Sequence, residues 1–230
     1  MSSKLAVPLL KRSLYGRRQS RPLKDHKSHL WHNLLPSLHF DARLCNSLSF
    51  WQEKFVCLEI GFGSGEHLYE QAYTHPDRFY VGCEPFVNGV ASLLQKIESR
   101  PVSNLFLFPD DAGILLSKLP EACLDQVYLL FADPWPKKRH HKRRFVQLDR
   151  LVEIHRVLKP QGIWRIATDH SGYQEWILEI FSSSEGKRLF VQTRDDIWSR
   201  PCLEGWPMTR YEQKALQQER HCLYLEYRKM

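Results

Sequence analysis

The chain has 230 residues, 43% of them hydrophobic and 12% aromatic, which suits one packed domain and excludes a disordered chain. Its formal charge of +7 is unevenly placed: residues 1–30 carry eight Lys/Arg against Asp25 alone, residues 137–144 carry six cations and no acid, and the remaining 192 residues therefore net to −6. A mildly acidic body with two basic segments fits a protein that meets a polyanion, and no run approaches the ~18 apolar residues that a membrane span requires. The six cysteines form no C-x-x-C pair, which argues against a disulfide framework or a zinc site and for reduced thiols in a cytoplasmic setting.

Residues 1–30 are polar and without helical or strand period, so they read as a basic, flexible arm ahead of a single domain over 31–230. The arm's apolar run is too short for a secretory signal; a transit peptide, Arg-rich and acid-poor, stays open. From Trp31 to Trp51 the pattern is mixed and Pro36 breaks it. Phe55-Val-Cys-Leu-Glu-Ile60 is a buried strand running into Gly61-Phe-Gly-Ser-Gly65 and a helical stretch from Glu66 to Tyr73. Glycines suit such a turn because the backbone must bend tightly and a ligand must come close to it. The helix behind it offers unpaired N–H groups to an anion.

A second strand, Phe79–Cys83, ends at Glu84 and precedes a helix from Phe86 to Glu98; a third, Asn104–Phe108, ends at Asp110-Asp111 before a short helix. The fourth, Val127–Ala132, delivers Asp133-Pro-Trp-Pro-Lys-Lys-Arg-His-His-Lys-Arg-Arg144: an acid on a rigid turn, then six cations within eight residues. Val146–Leu158 has a 3.6-type stripe and is stopped by Lys159-Pro-Gln-Gly162; Ile163–Ala167 is a strand ending at Thr168-Asp169. Tyr173–Phe181 reads as helix, Arg188–Thr193 as strand, Asp195–Met208 as a loop, Thr209–Gln218 as helix and Cys222–Tyr227 as a last strand. The expected fold is α/β: a doubly wound, seven-stranded, mostly parallel sheet, Rossmann-like, with an antiparallel last strand.

Glu59, Glu84, Asp111, Asp133 and Asp169 all fall at or near the ends of successive predicted strands, the edge where open α/β sheets bind ligands. Any one of them can be a mere helix N-cap. As a set they favour a ligand with hydroxyls and positive charge over a pyrophosphate, and S-adenosylmethionine has a ribose diol, an ammonium and a sulfonium. Gly61, Gly63 and Gly65 are candidate cofactor contacts. Trp135, between two prolines, reads equally as a stacking platform for a base and as a core anchor. His140 and His141 lack a third partner at metal-ligand spacing, so no metal is expected.

Leu58-Glu-Ile-Gly-Phe-Gly-Ser-Gly65, the Asp133–Arg144 run, Ala167-Thr-Asp-His-Ser-Gly-Tyr173 and Thr209-Arg-Tyr-Glu-Gln-Lys-Ala215 together resemble the motifs of the bacterial tRNA (guanine-N7-)-methyltransferases, in matching order over about residues 14–228. The resemblance implies a class I fold and methylation of the variable-loop guanosine of tRNA, position 46, by S-adenosylmethionine. It implies that Glu59, Glu84, Asp111 and Asp133 bind the cofactor, Asp133 being also catalytic. Lys137, Asp169, Thr209, Arg210, Tyr211 and Glu212 would hold substrate, and Arg139, His140, His141, Lys142, Arg143 and Arg144 would contact RNA. The resemblance leaves monomer and homodimer both open. Ala132 departs from the family's pattern, in which Pro commonly precedes the Asp. Glu212 reads equally as a base holder and as a cap or partner of Arg210.

Guanine N7 carries a lone pair and no proton, so the implied reaction needs alignment rather than a general base, with N7 and the methyl carbon held about 3–3.5 Å apart. Rival readings are a nicotinamide oxidoreductase, which leaves the Asp-Pro-Trp-Pro run unexplained, and an adenine or cytosine amino-methyltransferase, whose Asp-Pro-Pro-aromatic turn differs at the third position. A non-enzymatic RNA-binding adaptor is the third.

Overall fold

The computed structural model describes residues 15–40 and 48–230, without the side chains of 48–50. The first fourteen residues of the expected arm and Cys45 lie outside the described residues. Three short helices come first: α1 (Asp25–Asn33), α2 (Leu35–Leu38) and α3 (Leu48–Glu53). The boundary expected at residue 30 falls inside α1, which packs on a later helix through Leu30.

Seven strands then form one sheet: β1 (Val56–Ile60), β2 (Phe79–Cys83), β3 (Leu105–Phe108), β4 (Leu124–Leu130), β5 (Leu158–Thr168), β6 (Phe190–Gln192) and β7 (Leu223–Lys229). Their order is β3-β2-β1-β4-β5-β7-β6. β3 through β5 run parallel, and β7 runs antiparallel to both its neighbours. This is the expected α/β architecture.

The strands are apolar on both faces because helices cover both. In β1, Val56, Leu58 and Ile60 face one core layer and Cys57 the other; in β4, Val127 and Leu129 oppose Tyr128 and Leu130. The first layer is closed by α6 (Ala112–Lys118), α7 (Leu148–Val157), α8 (Ser171–Ser182) and α9 (Ser184–Leu189). The second is closed by α4 (Glu66–Thr74), α5 (Val87–Ser99) and α10 (Arg210–Gln217). α5 buries Val90, Leu93, Leu94 and Ile97, a helical i, i+3, i+4, i+7 stripe, each worth about 1.5–3 kcal/mol of transfer free energy.

Three boundaries differ from expectation for local reasons. β4 stops at Leu130 rather than Ala132 because Phe131 has φ +54°, outside strand geometry. α7 does stop before Lys159, yet the Lys159-Pro-Gln-Gly162 stretch stays in β5: the register jumps between Leu124 and Gln126, and Gln161 takes φ +65°. Arg188 and Leu189 close a helix over residues 184–189 rather than starting a strand, with Ser183 capping it by accepting from the Gly186 N–H.

Candidate functional site

All five strand-end acids sit on one edge of the sheet, but their surroundings differ. β1 leads into the glycine turn, where Gly61, Gly63 and Gly65 take φ of +73°, +58° and +73°. An L side chain pays for that conformation and glycine does not. A Cβ on Gly61 would meet nothing within 4 Å, so the turn presents bare backbone to an open cleft. That cleft, about 670 Å³, is walled by Gly61, Gly63, Glu84, Asp111, Asp133 and Tyr211 among others.

Glu84 ties the second strand to the turn. Its carboxylate accepts from the Gly63 N–H at 2.8 Å and the Phe86 N–H at 2.9 Å. Burial pushes its pKa up to about 7, with smaller contributions from Asp133 and Glu59 in the same direction and the two backbone donors opposing. Asp111 lines the cleft and also caps α6, accepting from the Gly113 N–H at 2.7 Å. For this residue the cap and the cleft wall are one position.

Asp133 stands on a double bend: Phe131 and Trp135, two residues to either side, have φ of +54° and +45°. Left-handed non-glycine residues cost of order 1–3 kcal/mol each and persist where the surroundings enforce them, often at functional sites. The enforcement here is visible. Arg144, only 3% exposed, donates from Nε to the Pro134 carbonyl at 2.8 Å and from a terminal nitrogen to the Gly172 carbonyl at 3.0 Å. Its guanidinium lies 5.3 Å from the Tyr173 ring centre and 5.2 Å from that of Trp176. Arg144 is thus a staple between the bend and α8, not the RNA contact that its place in the cation run implied. Asp133 itself is exposed to the cleft, and desolvation by the surrounding walls raises its pKa above the usual carboxylate value.

The other cations form a 3₁₀ helix, Lys138–Arg143, beside the cleft mouth. Lys137, Arg139 and Lys142 are exposed. Arg143 lies 4.9 Å from the Trp135 ring centre and 5.1 Å from that of Tyr15, so Trp135 is a half-buried platform in the cleft wall rather than a core anchor. His140 packs edge-on to Trp135; desolvation and the cations around it lower its pKa. His141 packs on Trp176 instead. Among the described residues no group of three His, Cys, Asp or Glu could hold a metal ion.

Four implied site residues, Glu59, Asp169, Thr209 and Glu212, are not brought to the cleft. Glu59, 4% exposed, faces the helix layer under α4 and pairs with His67 Nδ1 at 2.7 Å, whose ring is packed between Tyr128 and Trp206. Thr209 and Glu212 form a capping box at the start of α10. Glu212 is fully buried and accepts from Arg200 Nε at 2.7 Å and the Tyr224 hydroxyl at 2.6 Å, so its partner is Arg200 and not Arg210. Tyr211, by contrast, reaches the glycine turn, where its ring would stand 3.3 Å from a Cβ on Gly63; Arg210 is exposed beside it. Asp169 is ion-paired with Arg220 and lines a separate cavity.

Two contributors escaped the sequence reading. From Tyr15 the chain lies across the start of α5: Val87 N–H donates to the Arg18 carbonyl at 2.7 Å, Ser20 N–H to Asn88 Oδ1 at 3.0 Å and Asn88 Nδ2 to the Arg21 carbonyl at 3.0 Å. Tyr15, Gly16 and Arg17 thereby become part of the cleft wall. No period in residues 15–21 announces this; Gly16-Arg17-Arg18 was its only trace. The other is Gly89, where a Cβ would lie 2.3 Å from the Gly63 carbonyl oxygen. Alanine in a helix gains about 1 kcal/mol over glycine, but overpacking against backbone costs about 1–3 kcal/mol, and the clash wins. Gly89→Ala is expected to displace the glycine turn and weaken S-adenosylmethionine binding about tenfold or more, measured by calorimetry beside a melting curve.

A family described as "Putative methyltransferase" matches residues 53–225. A tRNA (guanine-N(7)-)-methyltransferase of Zymomonas mobilis is 40% identical over 230 residues, covering 99% of each chain. Another, of Azorhizobium caulinodans, is 41% identical over 223 residues, covering 94% of this chain and 95% of that one. Among solved structures, a mutant of the 16S rRNA (adenine(1408)-N(1))-methyltransferase from Catenulisporales acidiphilia aligns with a TM-score of 0.54 at 15% identity, covering 83% of this chain and 92% of that one, and so shares the fold.

Proposed function

The chain belongs to the bacterial tRNA (guanine-N7-)-methyltransferase family, and from that premise we propose that it transfers the methyl group of S-adenosylmethionine to N7 of the guanosine at position 46, in the variable loop of tRNA. The observation that carries the reading is an acid-walled cleft behind a bare glycine turn, opening directly onto an exposed basic 3₁₀ helix. The residues fit the cofactor: Glu84 spends one lone pair of each oxygen on a backbone N–H and keeps the others for a ribose diol, and acids at Asp111 and Asp133 suit a cationic ligand. Bound there, S-adenosylmethionine supplies a methyl group on a positively charged sulfur.

Guanine N7 has no proton to lose, so no side chain is asked to act as general base. Asp133 orients the base by accepting from N1–H and the 2-amino group, and its charge favours the ring that becomes cationic as N7 is methylated. Arg139, Lys142 and Arg143, with Lys137 at the head of the helix, take phosphates of the RNA backbone. Affinity for tRNA should therefore fall steeply between low and physiological salt; a flat salt dependence in a filter-binding titration would remove the basic helix as the docking surface. Arg17, Arg18 and Arg21, exposed in the described part of the arm, extend that surface, and work on tRNA puts the protein in the cytoplasm. No helix among the described residues is long and apolar enough to cross a membrane.

Glu84 gives the reading a pH signature. An acid whose pKa in the folded state is raised contributes stability that is fully present below its unfolded value near 4.5 and lost as pH climbs through about 7. Its ionised form is the one that accepts from ribose hydroxyls, so S-adenosylmethionine binding should tighten as pH rises through about 7 while the fold loosens slightly. Glu84→Gln should flatten both trends; unchanged trends in that variant would assign them to another group. The activity itself is tested by incubating tRNA with methyl-labelled S-adenosylmethionine, digesting it to nucleosides and mapping the labelled position. Label in 7-methylguanosine at position 46 is expected, and label on an adenine or cytosine amine would replace the reading with its rival.

A further inference from the structure

A second cavity, of about 800 Å³, opens on the same edge of the sheet and shares no wall residue with the cleft. It lies one strand along. Leu130 of β4 pairs with Ala167 of β5, and the chain continues three residues to Asp133 on one side and two to Asp169 on the other. Neighbouring strands are about 5 Å apart, so the two sites are adjacent.

The chemistry of the walls narrows what the cavity can hold. Its two arginines are already neutralised, Arg220 by Asp169 and Arg200 by Glu212, which leaves no surplus charge for a phosphate. One wall is the indole of Trp198, 55% exposed, and the others combine apolar surface at Leu216 with mixed donors and acceptors. A flat, uncharged heteroaromatic ring with hydrogen-bonding edges fits such walls, as nucleobases do when they stack on aromatic side chains. Two of the lining residues, His170 and Arg220, each keep a buried nitrogen, Nδ1 and Nε, without a partner among the described residues, a feature that a purely structural wall tends to avoid.

We propose that this cavity takes the base of a nucleotide immediately next to the methylated guanosine, splayed out of the tRNA and stacked on Trp198. The proposal rests on the tRNA-methylating function given above. With the guanine held at Asp133 and its neighbour held one strand away, the backbone between them is fixed at two points, and the target base is presented in one orientation.

The test combines Trp198→Ala with tRNA transcripts made abasic at the 5′ or the 3′ neighbour of the target guanosine, reading kcat/KM at saturating S-adenosylmethionine. Trp198→Ala should lose about tenfold on intact tRNA, and the wild-type protein a similar factor on one of the abasic transcripts. Combining the two should cost nothing more, because both remove the same stack. Trp198→Phe should retain most of the activity, and S-adenosylmethionine affinity and melting temperature should match the wild type in both variants. Losses that multiply, a Trp198→Ala protein as active as wild type, or S-adenosylmethionine binding that falls with it would each overturn the proposal. If Trp198→Ala fails to fold, the wild-type series decides alone, and no loss at either neighbour overturns it. Wild-type protein that leaves intact tRNA unmethylated would instead remove the functional reading, and this proposal with it.

Discussion

Asp133→Ala is expected to lower kcat/KM for tRNA methylation by about 10²–10³, the range measured when one preorganised charge-stabilising group is taken from an active site. The fold should survive intact. Among the described residues the Asp133 carboxylate makes no hydrogen bond or ion pair, and it is exposed to the cleft, so nothing in the packing depends on it. Glu84, in the same cleft, carries a pKa raised mainly by burial and in smaller part by Asp133, so the two acids repel. Removing one should leave the melting temperature unchanged or slightly higher, the usual trade of stability for function where like charges are gathered. Asp133→Asn keeps an oxygen acceptor without the charge, so it should retain part of the cofactor affinity and little of the turnover. Activity like that of the wild type in Asp133→Ala would refute the assignment.

Glu212→Ala should behave in the opposite way. Family resemblance put Glu212 among the substrate contacts, whereas the structure buries it completely and gives its oxygens to Arg200, the Tyr224 hydroxyl and the Thr209 N–H. Truncation strands the buried Tyr224 hydroxyl and unties the loop that carries Arg200 and Trp206, whose carbonyl Arg200 also holds at 2.7 Å. Losing one partner of a buried ionic network costs roughly 3–5 kcal/mol. Arg200 is about a third exposed, which moves the expectation to about 2–4 kcal/mol, or roughly 5–10 °C in melting temperature for a chain of this size. Activity should be lost in step with folding, and at a temperature where the variant is folded its KM for tRNA should be near normal. A raised KM with an unchanged melting temperature would return Glu212 to the substrate site.

How much of this could be read from the sequence follows from the range of the interactions involved. The sheet was legible because each strand is a short apolar run buried on both faces and each is followed by a helical stripe, so residues close in sequence carry the signal. The glycine turn and the acids at Glu84, Asp111 and Asp133 were legible for the same reason, each marking the end of a strand. Motif position alone did not separate Arg144 from Arg143. The two are adjacent in the same cation run, yet one is driven into the protein by Pro134, Gly172 and Trp176, and the other lies on Trp135. Glu59 was similarly indistinguishable from Glu84 until His67, eight residues away, turned out to face it. Docking of residues 15–21 on α5 and the contact of Gly89 with Gly63 depend on partners distant in sequence, for which one chain offers no periodicity.

The central claim is that acids at the sheet edge hold a methyl donor where the N7 lone pair of a bound guanosine can meet it. A tRNA transcript carrying 7-deazaguanosine at the target position tests it most directly, because that ring keeps the N1–H and 2-amino edge offered to Asp133 and replaces only N7 by a C–H. This transcript should compete with normal tRNA for the protein and accept no methyl group. Methyl incorporation into the deaza ring or elsewhere in the transcript at the normal rate would contradict it.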